Sequence, residues 1–292
     1  MKVFTTKNSG LLKELECATY LCRATHCNAD IYSVDGSSSP ELMREVWRLR
    51  KESFREVGIV LDDAGDSADI DGSYRQLVVW DRERDEIAGG YRYALGREAI
   101  VERLSLSRYM RLSERFVREY LPRGIELGRS FVSPRYQSGG NALTIYALDA
   151  IWEGLAEIVR RERVEYLFGR VTLYDSLNER ARNLLVGYMQ HASPVNDRLM
   201  VAHRPFKVGI SRRRYSEIFL GDSASENYKI LLVHMRNMGC RIPPIISSYL
   251  RLSPSLKLFD SYKNYELGGV VESAIMLAIS EFYDNVKSRY RI

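Results

Sequence analysis

Residues 125–159, IELGRSFVSPRYQSGGNALTIYALDAIWEGLAEIV, run a strand, a Gln- and Gly-rich loop and a long amphipathic helix in direct succession. Ile125, Leu127, Phe131 and Val132 supply the apolar positions of the strand. Ser133-Pro134 ends it, because proline has no amide to give to a ladder. From Leu148 onward, Leu148, Ile151, Trp152, Leu155, Ile158 and Val159 recur at the spacing that lays one apolar stripe on a sheet. Between strand and stripe lies Gln137-Ser138-Gly139-Gly140-Asn141-Ala142. Small residues there let backbone N–H groups at a helix N-terminus approach an anion such as a pyrophosphate. The stretch predicts a protein that holds a ligand with a phosphate arm.

The flanking sequence extends this unit. Residues 31–34 form a short strand, and residues 35–40 break the chain and start a helix whose one face carries Leu42, Val46, Leu49 and Phe54. Residues 61–72 are an acidic loop. Strands at 76–81 and 87–94, joined by a polar turn, read as a hairpin. Residues 111–120 are helical, residues 166–173 are a strand in which Gly169 marks a kink or a close approach, and residues 178–189 are a helix. Further on come helices at 225–238 and 243–250, a strand at 270–279 and a charged terminal helix. The expected class is α/β (α+β): a mixed central sheet with helices on both faces. Residues 1–30 read as an N-terminal helical extension, 31–205 as the core and 206–292 as a C-terminal elaboration.

A chain of 292 residues buries roughly 75% of its unfolded surface and needs no disulfide or metal staple. Its hydrophobic fraction of 45% and charged fraction of 28% are those of a globular protein. No apolar run reaches the ~20 residues that span a bilayer, and MKVFTTKNSG lacks the build of a secretory signal, so the expected location is cytoplasmic. Cys17, Cys22 and Cys27 recur every fifth residue with Cys240 far away, which reads as reduced thiols, the first three on a helix. His26, His191, His203 and His234 are scattered without ligand spacing, so no metal is expected. A serine hydrolase finds no Gly-x-Ser-x-Gly. The net charge of +5 is clustered at Arg160, Arg161 and Arg163, at Arg212 to Arg214, and along Arg108, Arg111, Arg115, Arg118 and Arg123. Such clusters suit an acidic partner or simply a solvated face. No nucleic-acid reading motif accompanies them, so nucleic acid is not an expected partner.

The order of elements, with Gln137-x-Gly139 leading to Ala142 between strand and helix, resembles the GNAT acyltransferase superfamily. More specific are Glu126-Leu-Gly-Arg-Ser-Phe-Val132, Leu77-Val-Val-Trp-Asp81 and Ile87-Ala-Gly-Gly-Tyr-Arg92. These blocks look like the N-acyltransferases that make ornithine and glycine lipids, often labelled hemolysin-like, which are related to acyl-homoserine-lactone synthases. Further support comes from Tyr136-Gln-Ser138, Tyr166-Leu-Phe-Gly169, Pro243-Pro-Ile-Ile-Ser-Ser-Tyr249 and Val271-Glu-Ser-Ala-Ile-Met-Leu277. The resemblance covers the chain from about residue 31 to its end.

It implies lipid biosynthesis: transfer of a fatty acyl group from acyl carrier protein, or from acyl-CoA, to an amino acid amine such as that of glycine or ornithine. The acidic partner of the basic clusters would then be acyl carrier protein, and a lipoamino acid product leaves room for peripheral contact with an anionic membrane at its inner face. Glu126, Arg129, Arg92 and Asp71 (or Asp69) take the family's catalytic positions. Phe131, Val132, Gln137, Gly139, Gly140, Asn141 and Ala142 take its donor-binding positions. Other readings are an acetyl-CoA-dependent transferase, a homoserine-lactone-type synthase and a non-enzymatic, membrane-active hemolysin. Many GNAT enzymes place an acid tyrosine after Asn-x-x-Ala-x-x-Leu. Here Asn178, Ala181 and Leu184 keep that pattern but Leu185 holds the tyrosine's place, so the leaving thiol draws its proton from water or Tyr174.

Thioester aminolysis needs a neutral amine beside the carbonyl, a donor to the oxyanion and a proton sink. A backbone N–H near Phe131 or Val132 is the expected donor, with the thioester inserted beside strand 166–173. Glu126 orients or deprotonates the amine, or else forms a structural ion pair with an arginine such as Arg92. Strand alternation sets Glu126 with Gly128 and Ser130, and Arg129 with Phe131 on the other face as a buried organising residue. Tyr146 and Trp152 are expected in the core. The segment 242–252 is expected to pack on the core rather than form a lid, and His203-Arg204 is expected to lie away from the acceptor.

Overall fold

The computed structural model describes residues 9–59, 61, 73–137, 142–174, 176–195 and 197–292. In chain order these form α1 (Ser9–Cys17), β1 (Thr19–Arg23), β2 (Ala29–Asp35), α2 (Pro40–Glu56), β3 (Arg75–Asp81), β4 (Glu86–Leu95), β5 (Met110–Leu112) and β6 (Gly124–Val132). There follow α3 (Ala142–Glu162), β7 (Tyr166–Leu173), α4 (Glu179–Ala192), β8 (Met200–Ala202), α5 (Arg212–Ile218), α6 (Ala224–Asn237), α7 (Pro244–Leu252), β9 (Lys257–Asn264), β10 (Val270–Ala278) and α8 (Asp284–Tyr290). The chain divides into two compact units, one of residues 1–95, 126–164 and 290–292, the other of residues 96–125 and 165–289. No described helix is long and apolar enough to cross a membrane.

In the first unit the strand order is β1–β2–β3–β4–β6, with each pairing from β1 to β4 antiparallel. The run Leu77-Val-Val-Trp80 is buried on both faces because each face carries a helix. Val78 and Trp80 join Val34, Ile87, Phe131 and the α2 residues Leu42, Val46 and Leu49 in one core cluster. Side chains of opposite parity, Ile31 and Leu77, meet α3 so closely that a Cβ on Gly154 would lie 2.6 Å from Ile31 and 2.8 Å from Leu77. Each such aliphatic side chain contributes about 1.5–3 kcal/mol on full burial. Proline at the first turn starts α2, and its Arg50, wholly buried, donates to the buried Gln76 at 3.0 Å. The expected helical extension holds for α1 but gives way to a strand at β1, which pairs with β2 through a bulge at residues 20–22. Cys17 therefore ends a helix, while Cys22 lies on that strand and Cys27 in the loop after it. All are free thiols.

In the second unit β7, β10 and β9 form an antiparallel order, and β5 pairs with β8 in a separate ribbon. The β7–β10 register runs without a shift through Gly169, which pairs with Ile275, so of the kink or close approach expected there the register shows no kink. Residues 111–112, expected in a helix over 111–120, belong to strand β5 instead, and the helical stretch is a π-helix at Phe116–Tyr120. Ile246, Tyr249 and Leu252 of α7 are buried, as a segment packed on the core requires.

Candidate active site

Two consecutive glycines let β4 approach its neighbours. A Cβ on Gly89 would lie 2.8 Å from the Phe131 carbonyl oxygen, and one on Gly90 would lie 2.6 Å from the Leu77 oxygen. Two residues on, Arg92 is buried, with its guanidinium 4.4 Å from the centroid of the Tyr74 ring. The Tyr74 hydroxyl donates to Glu126 Oε2 on β6, and Tyr74 and Glu126 are both buried. A Cβ on Gly128 would lie 3.7 Å from Arg92 Nη2, so Glu126 and Gly128 share the face toward Arg92, as alternation predicts. Fully buried carboxylates persist only with partners, and here a phenol and a desolvated cation–π contact of about 2 kcal/mol frame the group. Tyr74, which sequence reasoning passed over, is thus the residue that joins Arg92 to Glu126. Its only signal was its place directly after the acidic loop.

Alternation fails at the next step. Arg129 has φ +55°, a left-handed conformation that costs a side-chain-bearing residue about 1–2 kcal/mol. The pleat is interrupted there, so the expected setting of Arg129 with Phe131 opposite Glu126 does not follow from strand periodicity. Arg129 is half-buried, while Phe131 and Val132 beyond it are buried. Strained backbone of this kind gathers at functional positions.

The chain leaving β6 is tied down residue by residue. Val132 O accepts from Ser53 Oγ at 2.8 Å and from Gln137 Nε2 at 2.6 Å. Gln137 therefore turns its amide back onto the strand. Tyr136 donates to Asp81 at 2.6 Å and to Glu86 at 3.1 Å. Burial pushes the Tyr136 phenol up, and both carboxylates push it the same way. For Asp81 burial acts upward, but the bonds from Tyr136, Arg84 and the amides of Glu83 and Arg84 outweigh it and hold the carboxyl below its usual range. α3 begins at Ala142. Asp69, Asp71, Gly139, Gly140 and Asn141 lie outside the described residues. On α3, Trp152 is buried as expected, whereas Tyr146 is exposed rather than core.

The Asn178-x-x-Ala181-x-x-Leu184 pattern serves the fold: Asn178 Oδ1 caps α4 by accepting from the Ala181 amide at 2.9 Å, and Leu185 is wholly buried. Burial, with the negative charge of Glu272, pushes the Tyr174 hydroxyl up to about 12, which keeps it protonated at neutral pH. Several clustered arginines are paired within their own surface. Arg160 and Arg161 meet Glu157, Arg213 and Arg214 meet Glu217, and Arg115 and Arg118 meet Glu119. His26 is not isolated as its spacing suggested, since its ring and the carboxylates of Asp149 and Glu153 bring ligand atoms within 4.8 Å of one another.

In the second unit a charged group interrupts the apolar run of β10. Glu272, buried, accepts from Tyr262 at 2.6 Å, Asn264 at 2.9 Å and Thr172 at 3.0 Å, and pairs with Arg170 at 3.2 Å. The pairing of position 272 with Thr172 on one side and Tyr262 on the other brings these groups together.

Residues 49–147 match the family described as acetyltransferase (GNAT) domain, a span from within α2 to the first turns of α3 that includes Arg92 and Glu126. The chain is 37% identical to a glycine N(alpha)-acyltransferase of Bacteroides thetaiotaomicron over 276 residues, 90% of this chain and 81% of that one. It is 35% identical to a glycine N(alpha)-acyltransferase of Phocaeicola vulgatus over 274 residues, 89% of this chain and 83% of that one. Among solved structures, an N-acyl amino acid synthase from uncultured soil microbes aligns with 87% of this chain and 92% of its own at 9% identity and a TM-score of 0.44, a likeness too slight to bear on function. The chain belongs to the same family as the two glycine N(alpha)-acyltransferases, within the GNAT acyltransferases. It is an acyltransferase with the GNAT fold.

Proposed function

We propose that the chain transfers a fatty acyl group from a thioester, carried on acyl carrier protein, to the amine of glycine, giving an N-acylglycine. The observation that carries this reading is identity above one third, across nine-tenths of the chain, to two proteins named for glycine acylation. In the proposed step the neutral amine attacks the thioester carbonyl, the C–N bond forms, and the C–S bond breaks with the thiolate leaving and taking a proton from water. Glu126 takes the amine's proton, directly or through one water, with the Tyr74 hydroxyl and the Arg92 guanidinium fixing its carboxylate. A backbone N–H near Phe131 or Val132, just beyond the left-handed residue Arg129, donates to the carbonyl oxygen. The phosphate arm rests on amides between Gln137 and Ala142. The reading uses no metal. An N-acylglycine with a long chain is a lipoamino acid and partitions into a bilayer at about 0.8 kcal/mol per buried CH₂.

The test is expression in a host without amino-acid lipids, with lipid extracts compared by mass spectrometry. New species carrying glycine on a fatty acyl group support the proposal. Species carrying ornithine instead would move the acceptor, and extracts identical to those of the empty host would refute it.

A further inference from the structure

A cleft of about 440 Å³ opens in the second unit, away from Glu126 in sequence and built by different elements. Its frame is held by the backbone. Pro205 bridges to Tyr262, the Phe206 amide donates to the Ser261 carbonyl at 2.7 Å, and the His203 amide donates to the Tyr109 carbonyl at 2.9 Å. Its aromatic wall is fixed from behind, because the Tyr262 hydroxyl is held by the buried Glu272 and its ring stacks on Tyr109 with centroids 4.8 Å apart. Apolar and aromatic surface with few converging polar groups is the usual make-up of a small-molecule site.

The charges in this cleft do not balance. Arg108 is matched by Glu266 at 3.0 Å. Arg204 and Lys263 also line the cleft, and among the described residues neither takes part in an ion pair. Lys263 is instead held 4.8 Å from the Phe206 ring centroid. Three cations against one carboxylate give the cleft excess positive charge.

We infer that this cleft binds a small anion, its carboxylate or phosphate received between Arg204 and Lys263 and its apolar part lying on Phe206 and Tyr262. Within acyl transfer to glycine, such a group is present on the acceptor and product as a carboxylate and on the donor arm as phosphate. Only the choice of probes rests on the proposed function; the cleft's chemistry stands apart from it.

Binding of glycine, N-octanoylglycine and coenzyme A to the full chain is measured by calorimetry, for wild type and for the double variant Arg204→Gln, Lys263→Gln. Both side chains are exposed, so the variant should fold, and its melting curve checks that. Loss of two charge-assisted contacts predicts at least tenfold weaker binding of the probe that occupies the cleft. Weakening confined to glycine or N-octanoylglycine identifies a carboxylate, and weakening confined to coenzyme A identifies a phosphate. Equal affinity of wild type and folded variant for every probe, or no binding by wild type at millimolar concentration, overturns the inference. A chain that loses probe affinity in the variant but makes no acylglycine would retain the cleft and lose the proposed reaction.

Discussion

Glu126→Gln separates a proton acceptor from a structural carboxylate. The substitution keeps shape and leaves a carbonyl oxygen for the Tyr74 hydroxyl, but it removes the carboxylate that this hydroxyl holds in the buried site. Altering a buried, charge-assisted bond costs on the order of 1–3 kcal/mol. A domain of ordinary stability, about 5–15 kcal/mol, keeps roughly 97% or more of its molecules folded after that loss. Unfolding alone can therefore remove only a few per cent of the activity. Removal of a general base lowers turnover about 10²- to 10⁴-fold. The two effects differ by orders of magnitude and are read on the same preparation, by urea unfolding and by glycine-dependent thiol release at saturating substrates. Tyr74→Phe is the companion, since it keeps the carboxylate but removes its donor, and should cost less turnover than Glu126→Gln. A Glu126→Gln enzyme that stays folded and turns over within about threefold of wild type would refute the proton-transfer role.

Gly90→Ala should destabilise the first unit by about 1–3 kcal/mol in urea unfolding, because its Cβ would meet the Leu77 carbonyl oxygen at 2.6 Å and neither backbone can yield cheaply; a neutral change would show that β4 has room the packing denies. Burial, and after it the charge of Glu153, pushes the thiols of Cys22 and Cys27 up to about 11, so at pH 8 both should alkylate far more slowly than exposed Cys17, as peptide mapping would show. Equal labelling of all three would contradict that environment. Asp81 titrates below its unfolded value, so its contribution is complete above about pH 4 and is lost as pH falls through the folded pKa. Asp81→Asn should therefore lower stability at pH 7 and narrow its gap from wild type at pH 3. A gap that widens in acid would reverse the sign of the linkage.

The first unit was legible because its signals are local. Leu77-Val-Val-Trp80 announces a strand buried on two faces, and the stripe from Leu148 to Val159 announces the helix that covers one of them. Glu126 and Arg92 were singled out by the resemblance to the GNAT acyltransferases, whose positions they take. What joins them was hidden: Tyr74 reaches Glu126 across 52 residues, a contact with no periodicity to betray it. Nothing in an arginine signals φ +55°, the conformation a glycine would have advertised, so the break at Arg129 was invisible too. β9, residues KLFDSYKN, escaped because Lys257, Asp260 and Lys263 dilute its apolar positions, and its pairing with β10 lies in tertiary structure. The same reason hid Glu272, whose partners come from two other strands. Spacing left the clustered arginines open between an acidic partner and a solvated face, and it could not show that Arg160, Arg161, Arg213, Arg214, Arg115 and Arg118 each have a glutamate beside them.

The most direct test of the account is a steady-state assay of purified full chain with a fatty acyl thioester, following free thiol while single amino acids are supplied. The account predicts thiol release that depends on glycine, saturates with it and yields one N-acylglycine per thiol by mass spectrometry. Thiol release at the same rate with and without glycine, or acylglycine absent from the products, would contradict it.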